Sequence, residues 1–141
     1  MEINPGTWHP VPAVYRILCS NVWALADNLS DLTVALSQYD IPLCSETLVS
    51  DMRHVSDLLV PRFGCPVLLC QGRLLRARGM AAYVRDGYGV FRQLKFEWGC
   101  CKIMVFMVCG VRQNLYVFSL YHNPNLDDWI FYCLLASISA V

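Results

Sequence analysis

Three short stretches of the chain end in polar side chains that could do metal-dependent chemistry. Each stretch is an apolar, strand-like run, and the three runs end at Asn21, Glu46 and Tyr121. A strand holds its last residue rigidly at the edge of a sheet, so an amide, a carboxylate and a phenol could share one rim. Such a polar cluster suits a hard divalent cation and a phosphate oxygen.

The first two of these runs flank a helical pattern. Leucines at positions 29, 32 and 36 recur at helical spacing, which predicts a helix that begins near Asp27 or Asn28, since both residue types are good caps. Residues 15–22 and 41–44 read as buried strands. A strand, a helix and a strand in this order predict a right-handed βαβ unit with parallel strands.

The second half of the chain changes to hairpin-like patterns. A short helix is predicted after Ser50 or Asp51, then a strand over 67–70 and a basic loop over 71–79. Further strands are predicted over 80–84, 88–94, 102–109 and 115–120, and Asn125 would cap a last helix. The predicted fold class is therefore α/β, a mixed β-sheet with helices on one face. Because residues 103–108 are apolar at every position, the other face needs a covering layer.

Composition limits what kind of protein this is. The chain has 141 residues, of which 56% are hydrophobic and 16% charged, so it is either a compact, greasy domain or a piece whose apolar surface expects a partner or more chain. No apolar run approaches the roughly 20 residues of a membrane span, and residues 1–14 do not resemble a secretory signal. The eight cysteines lie mostly in apolar runs without zinc-site spacing. We therefore expect free thiols, no membrane contact and an intracellular, nuclear or cytoplasmic location rather than secretion.

Charge is unevenly distributed although the net charge is zero. Residues 71–112 hold eight lysines and arginines but only two carboxylates, whereas the rest holds three arginines and nine carboxylates. A basic middle could meet a phosphate backbone. A solvated charged face explains the same composition equally well.

Four motifs in fixed order give the chain a family resemblance. They are Ser20-Asn21-Val22, Ser45-Glu46-Thr47, the glycine turn and strand over 78–84, and Ser119-Leu120-Tyr121 followed by Asn-Pro-Asn. Together they resemble the endonuclease/exonuclease/phosphatase superfamily, in particular the apurinic-type endonuclease domain of non-LTR retrotransposons. The resemblance covers residues 15–141 as a partial domain, after an irregular lead-in over 1–14. It implies the first part of a four-layer α/β/β/α, DNase I-like sandwich.

The resemblance also implies roles for individual residues in Mg²⁺-dependent phosphodiester hydrolysis. Glu46 would bind the metal, Asn21 would orient a ligand or phosphate oxygen beside it, and Tyr121 would contact the phosphate or the attacking water. DNA would be the partner of a complete domain. The residues expected to contact nucleic acid are Asn125, Arg76 and Arg78.

The chain also departs from the family pattern. The family's later Gly-Asp-x-Asn and Ser-Asp-His segments are not present, and Trp23 and His122 stand where retrotransposon versions usually carry arginine. We therefore expect a truncated domain of retrotransposon origin that binds Mg²⁺ weakly or not at all and is inactive alone. The alternatives are a binding module for nucleic acid or protein, and a functionless product of a degenerate element. A missing second sheet would expose an apolar face through which the chain could self-associate.

Overall fold

A computed structural model describes residues 15–49, 52–69, 79–97, 102–110 and 114–121. No helix in this part of the chain is long and apolar enough to cross a membrane. The helical elements are α1 (Leu25–Leu36) and two 3₁₀ helices, Met52–Leu58 and Leu94–Phe96. The strands are β1 (Ile17–Asn21), β2 (Ile41–Ser45), β3 (Val67–Leu69), β4 (Met80–Ala82), β5 (Gly89–Arg92), β6 (Lys102–Cys109) and β7 (Asn114–Tyr121). The predicted last helix and basic loop lie outside the described residues, except for Gly79.

The predicted βαβ unit with parallel strands is present, but β1 is an exposed edge strand and not the buried strand that was predicted. Strands β1 and β2 are parallel, and their register runs from Ile17 opposite Ile41 to Asn21 opposite Ser45. Because the two strands end together, the residues that follow them meet at the same edge of the sheet. This alignment brings the first two sequence motifs side by side.

The predicted N-cap of α1 was wrong by three to four residues. The helix begins at Leu25, and its N-cap is Ala24, which has a φ of 63° and makes no side-chain capping bond. Asn28 instead donates from Nδ2 to the carbonyl of Trp23 at 2.7 Å. The first N–H of the helix, that of Leu25, instead donates to the backbone carbonyl of Thr47 at 2.9 Å. A backbone carbonyl from the segment after β2 therefore takes the place of a capping side chain.

The seven strands of the described residues form two sheets. The first is a four-stranded mixed sheet in the order β1-β2-β4-β3, and the second is a three-stranded antiparallel sheet in the order β5-β6-β7. Side chains alternate across β4. Ala81 packs in the core on the helix side, whereas Met80 and Ala82 pack with Phe106 between the two sheets. The predicted α/β class is confirmed, with helices on one face of the first sheet.

The expected exposure of the inner sheet face was wrong for most of that face. Strands β5–β7 supply a covering sheet, and Met80, Ala82 and Phe106 are all buried between the layers. Among the described strands, the inner face stays open along β1, where Ile17 is 44% exposed and Cys19 is also exposed. The burial of the rest removes most of the apolar surface on which self-association was expected.

The opposite edge of the first sheet is fixed by a buried carboxylate. Asp40 accepts the Arg16 backbone N–H at 2.8 Å and lies 3.4 Å from Nε of Arg85. Arg85 also donates from Nη2 to the carbonyls of Ser37 and Tyr39, at 2.7 and 2.9 Å. These bonds tie the end of α1 to the start of β2 and so hold the register that positions the polar rim.

Candidate functional site

The two residues that end β1 and follow β2 are in direct contact. Asn21 donates from Nδ2 to Oε2 of Glu46 at 2.8 Å, across 25 residues of sequence. Asn21 is exposed, whereas Glu46 is only 8% exposed. The amide therefore holds a mostly buried carboxylate in one orientation at the sheet edge.

Backbone hydrogen bonds continue the strand pairing past the ends of both strands. The Val22 N–H donates to the Ser45 carbonyl at 3.1 Å, and the Ala24 N–H donates to the Glu46 carbonyl, also at 3.1 Å. The segment after Asn21 is thereby joined to the segment around Glu46. The rim is a fixed part of the sheet rather than two independent loops.

Backbone strain is concentrated at this rim. Five non-glycine residues in the described chain have positive φ, and four of them lie here: Trp23 (35°), Ala24 (63°), Glu46 (55°) and Leu48 (56°). A non-glycine residue in the left-handed region costs of order 1–3 kcal/mol and persists only where its surroundings impose it. Such strain clusters at functional sites, so the rim is the part of the fold that merits a functional test.

The described rim offers a divalent ion a single carboxylate, that of Glu46. Mg²⁺ takes one or two carboxylates and keeps several waters, and Glu46 is a carboxylate oriented by Asn21 at the sheet edge. Asn21 turns its N–H toward the carboxylate and its Oδ1 toward the Trp23 N–H at 3.3 Å, which suits positioning better than ligation. Among the described residues, no group of three or more His, Cys, Asp and Glu could hold a metal.

A cleft of about 290 Å³ adjoins the rim, between the two sheets. Ser20 and Ser45, which directly precede Asn21 and Glu46, line it on one side, and Ser119 of β7 lines it on the other. Ser119 contacts Sδ of Met80 through Oγ at 3.8 Å, which brings the end of β7 to the first sheet. The cleft is therefore where the three predicted strand ends approach one another.

The remaining predicted site residues are only partly described. Tyr121 is the last residue of β7, pairs with Lys102 and lies two residues after Ser119, but its side chain is outside the description. The predicted nucleic-acid contacts also lie outside the described residues; they are Asn125, Arg76 and Arg78. Their roles stay predictions.

Sequence patterns missed the way in which the rim is held. Trp23 was noted only as a departure from the family pattern, and Asn28 only as a helix cap, yet Asn28 fixes the carbonyl of Trp23. No residue type signals this arrangement, because the positive φ of Trp23 is imposed by the surrounding hydrogen bonds. A glycine would have been the usual signal.

The Cys44 thiol does not extend the site chemically. Cys44, one residue before Ser45, is 2% exposed and faces the helix-side core. Burial raises the pKa of its thiol to about 12. Cys44 therefore stays protonated near neutral pH and is neither a nucleophile nor a metal ligand.

Comparison with known proteins supports the fold. No protein-family model matches the chain, and no curated protein does. The endonuclease domain of TRAS1, a telomere-specific non-LTR retrotransposon, is similar in structure with a TM-score of 0.58 and 16% identity. The AP endonuclease LMAP from Leishmania major is similar with a TM-score of 0.59 and 14% identity.

Both similarities cover 88% of this chain, but only 53% of the TRAS1 chain and 45% of the LMAP chain. The chain thus spans about half the length of these two structures. Its fold is similar to the DNase I-like fold of these two structures, as the order of sequence motifs predicted.

Proposed function

We propose that this chain carries the metal-binding edge of a Mg²⁺-dependent phosphodiesterase of the endonuclease type. The observation that carries the proposal is the contact between Asn21 and Glu46, which joins two motifs 25 residues apart in sequence. The two similar structures are an endonuclease domain and an AP endonuclease, which supports a nuclease-like role for this chain. Retrotransposon origin is proposed on the same similarity to TRAS1.

Each described site residue has a role that follows from its environment. Glu46 would hold the ion through its carboxylate, which Asn21 keeps in one orientation at the sheet edge. When bound, Mg²⁺ would polarise a phosphoryl oxygen and stabilise charge on the leaving oxygen. Tyr121, at the end of β7, is proposed to contact the phosphate or to position the attacking water.

The chain alone is proposed to be inactive or nearly so. In-line phosphodiester hydrolysis needs several positioned groups around the metal and the water. The described residues offer one carboxylate at the rim and no cluster of three ligand-type side chains. The other groups would have to come from further polypeptide, as the half coverage of the similar structures suggests.

A binding module without chemistry is the second candidate, because residues 71–112 carry an excess of positive charge. The described arginines of this segment weaken that reading. Arg92 forms a bidentate ion pair with Glu97, at 2.9 and 3.0 Å, and Arg85 is paired with Asp40. Both arginines stabilise the fold, so less of the excess charge is left for a phosphate backbone.

A DNA-binding titration separates the two functions. We expect wild-type chain to bind an oligonucleotide more tightly with Mg²⁺ than with EDTA. Glu46→Gln should lose about tenfold in Mg²⁺, equivalent to about 1.4 kcal/mol, and nothing in EDTA. Asp31→Asn is the matched control, because it removes an equal charge from an exposed position on α1.

Two outcomes would contradict the proposal. Binding that falls with salt but ignores both Mg²⁺ and Glu46 would favour the binding module. A plasmid-nicking assay run in parallel tests inactivity, and we expect no nicking by the chain alone. Nicking that disappears in Glu46→Gln would support the metal role of Glu46 but refute the inactivity of the isolated chain.

A further inference from the structure

The residue that follows the Asn21 motif has two unfavourable features at once. Trp23 is 54% exposed, although its indole is a large apolar surface, and its φ of 35° lies in the left-handed region. A bulky residue in that region is a genuine outlier and costs free energy. A small polar residue or a glycine would suit a simple strand-to-helix turn better, because it exposes no large apolar surface and tolerates a positive φ.

The backbone of Trp23 is held from both sides. Its N–H donates to Oδ1 of Asn21 at 3.3 Å, and its carbonyl accepts from Nδ2 of Asn28 at 2.7 Å. The next N–H, of Ala24, donates to the Glu46 carbonyl at 3.1 Å. The indole is therefore carried on a fixed backbone two residues after Asn21, and the next residue, Ala24, is hydrogen-bonded to Glu46.

We propose that Trp23 is a stacking platform for an unpaired nucleobase next to the phosphate that a Mg²⁺ ion held by Glu46 would bind. A base bonded through its sugar to that phosphate lies within reach of a side chain at the same rim. An aromatic ring stacks on any base, because every base has a π-face, and an indole with only two rotatable bonds loses little entropy on binding. The proposal rests on the proposed function of the Glu46 site and adds a contact that distinguishes nucleic acid from a simple phosphodiester.

The test varies the side chain at position 23 and, independently, the presence of bases on the bound strand. Affinity is measured in Mg²⁺ for wild type, Trp23→Phe and Trp23→Leu, each with a single-stranded oligodeoxynucleotide and with the same strand carrying abasic spacers. Phe91→Leu is the matched control, because Phe91 is also 54% exposed but lies on β5 in the other sheet. Removing a base contact of this kind weakens binding by about 5- to 100-fold.

We expect wild type and Phe91→Leu to lose about this factor when the bases are removed. Trp23→Leu should bind the intact strand about as weakly as wild type binds the abasic strand, and should no longer distinguish the two strands. Trp23→Phe should keep most of the difference, because it retains a ring. A purely structural role would weaken binding to both strands equally.

Failure of the inference is distinguishable from failure of the proposed function. If wild type binds in a Mg²⁺- and Glu46-dependent way but Trp23→Leu still distinguishes intact from abasic strands, the inference is overturned and the metal site stands. If no strand binds in a Mg²⁺- and Glu46-dependent way, both are overturned.

Discussion

Replacement of Asn21 by aspartate tests the geometry of the rim directly. In the wild-type chain, Nδ2 of Asn21 donates to Oε2 of Glu46 at 2.8 Å. Asn21→Asp replaces that donor by a carboxylate oxygen and so places two like charges in contact. The variant keeps the size and shape of the side chain, so charge and hydrogen bonding are the main changes.

The expected loss of stability follows from two effects. Two unit charges about 4 Å apart repel by about 4 kcal/mol at an effective dielectric constant of about 20, and the exposure of residue 21 reduces this considerably. The lost hydrogen bond to a charged group adds about 1.5–3 kcal/mol. Allowing for local relaxation, we expect the free energy of unfolding to fall by about 2 kcal/mol at pH 7, a sizeable share of the typical 5–15 kcal/mol.

Urea unfolding at pH 7, with and without Mg²⁺, measures this effect. A divalent ion bound between the two carboxylates would restore about 1.4 kcal/mol at ten times its dissociation constant. Asn114→Asp is the matched control, since it adds the same charge at the exposed start of β7. The double variant Asn21→Asp with Glu46→Gln should regain most of the lost stability without metal.

Two results would refute this reasoning. The first is an Asn21→Asp variant as stable as Asn114→Asp at pH 7. The second is a double variant with Glu46→Gln that is no more stable than Asn21→Asp alone. Either would mean that residues 21 and 46 are not in contact in solution.

Two further predictions concern the core beneath the rim. Tyr83 is fully buried and donates to the Leu58 carbonyl at 2.6 Å, so Tyr83→Phe should lower the free energy of unfolding by about 1–3 kcal/mol, whereas exposed Tyr116→Phe should change it little. A loss in Tyr83→Phe no larger than in Tyr116→Phe would contradict this. The pKa of the Cys44 thiol is raised by burial from 9.0 to about 12, so its contribution to stability is complete below pH 9 and is lost as pH rises toward 12. Native-state maleimide labelling at pH 7 should modify exposed Cys19 and spare Cys44, and equal labelling rates would show that Cys44 is not buried.

Parallel pairing of β1 and β2 was predictable because two apolar runs flank one helical pattern, and parallel strands require such a crossover. The meeting of Asn21 and Glu46 follows from that pairing, since both come at the carboxyl ends of neighbouring strands. The proximity of Asn21 and Glu46 could therefore be predicted from the sequence. The hydrogen bond between Asn21 and Glu46 and the burial of Glu46 could not be predicted, because they depend on side-chain orientation.

The sheet partnership of the later strands was not predictable from periodicity. Strand β6 has buried side chains on both faces, such as Val105 and Phe106, and this pattern suits a central strand of either sheet. The sequence therefore predicted strands over 102–109 and 115–120 but not that they cover the chain's own first sheet. The start of α1 was missed for a different reason, because Ala24 carries no capping oxygen and the cap is supplied by the segment after Glu46.

The most direct test of the metal-site proposal is to locate a divalent ion by anomalous diffraction from crystals of the chain soaked in Mn²⁺, a stand-in for Mg²⁺. We expect an anomalous peak about 2.0–2.2 Å from a carboxylate oxygen of Glu46, with Asn21 still bonded to that carboxylate. The same soak of Glu46→Gln crystals should lose the peak. Manganese peaks that appear only elsewhere in wild-type crystals, at concentrations that saturate other sites, would contradict the proposed metal edge.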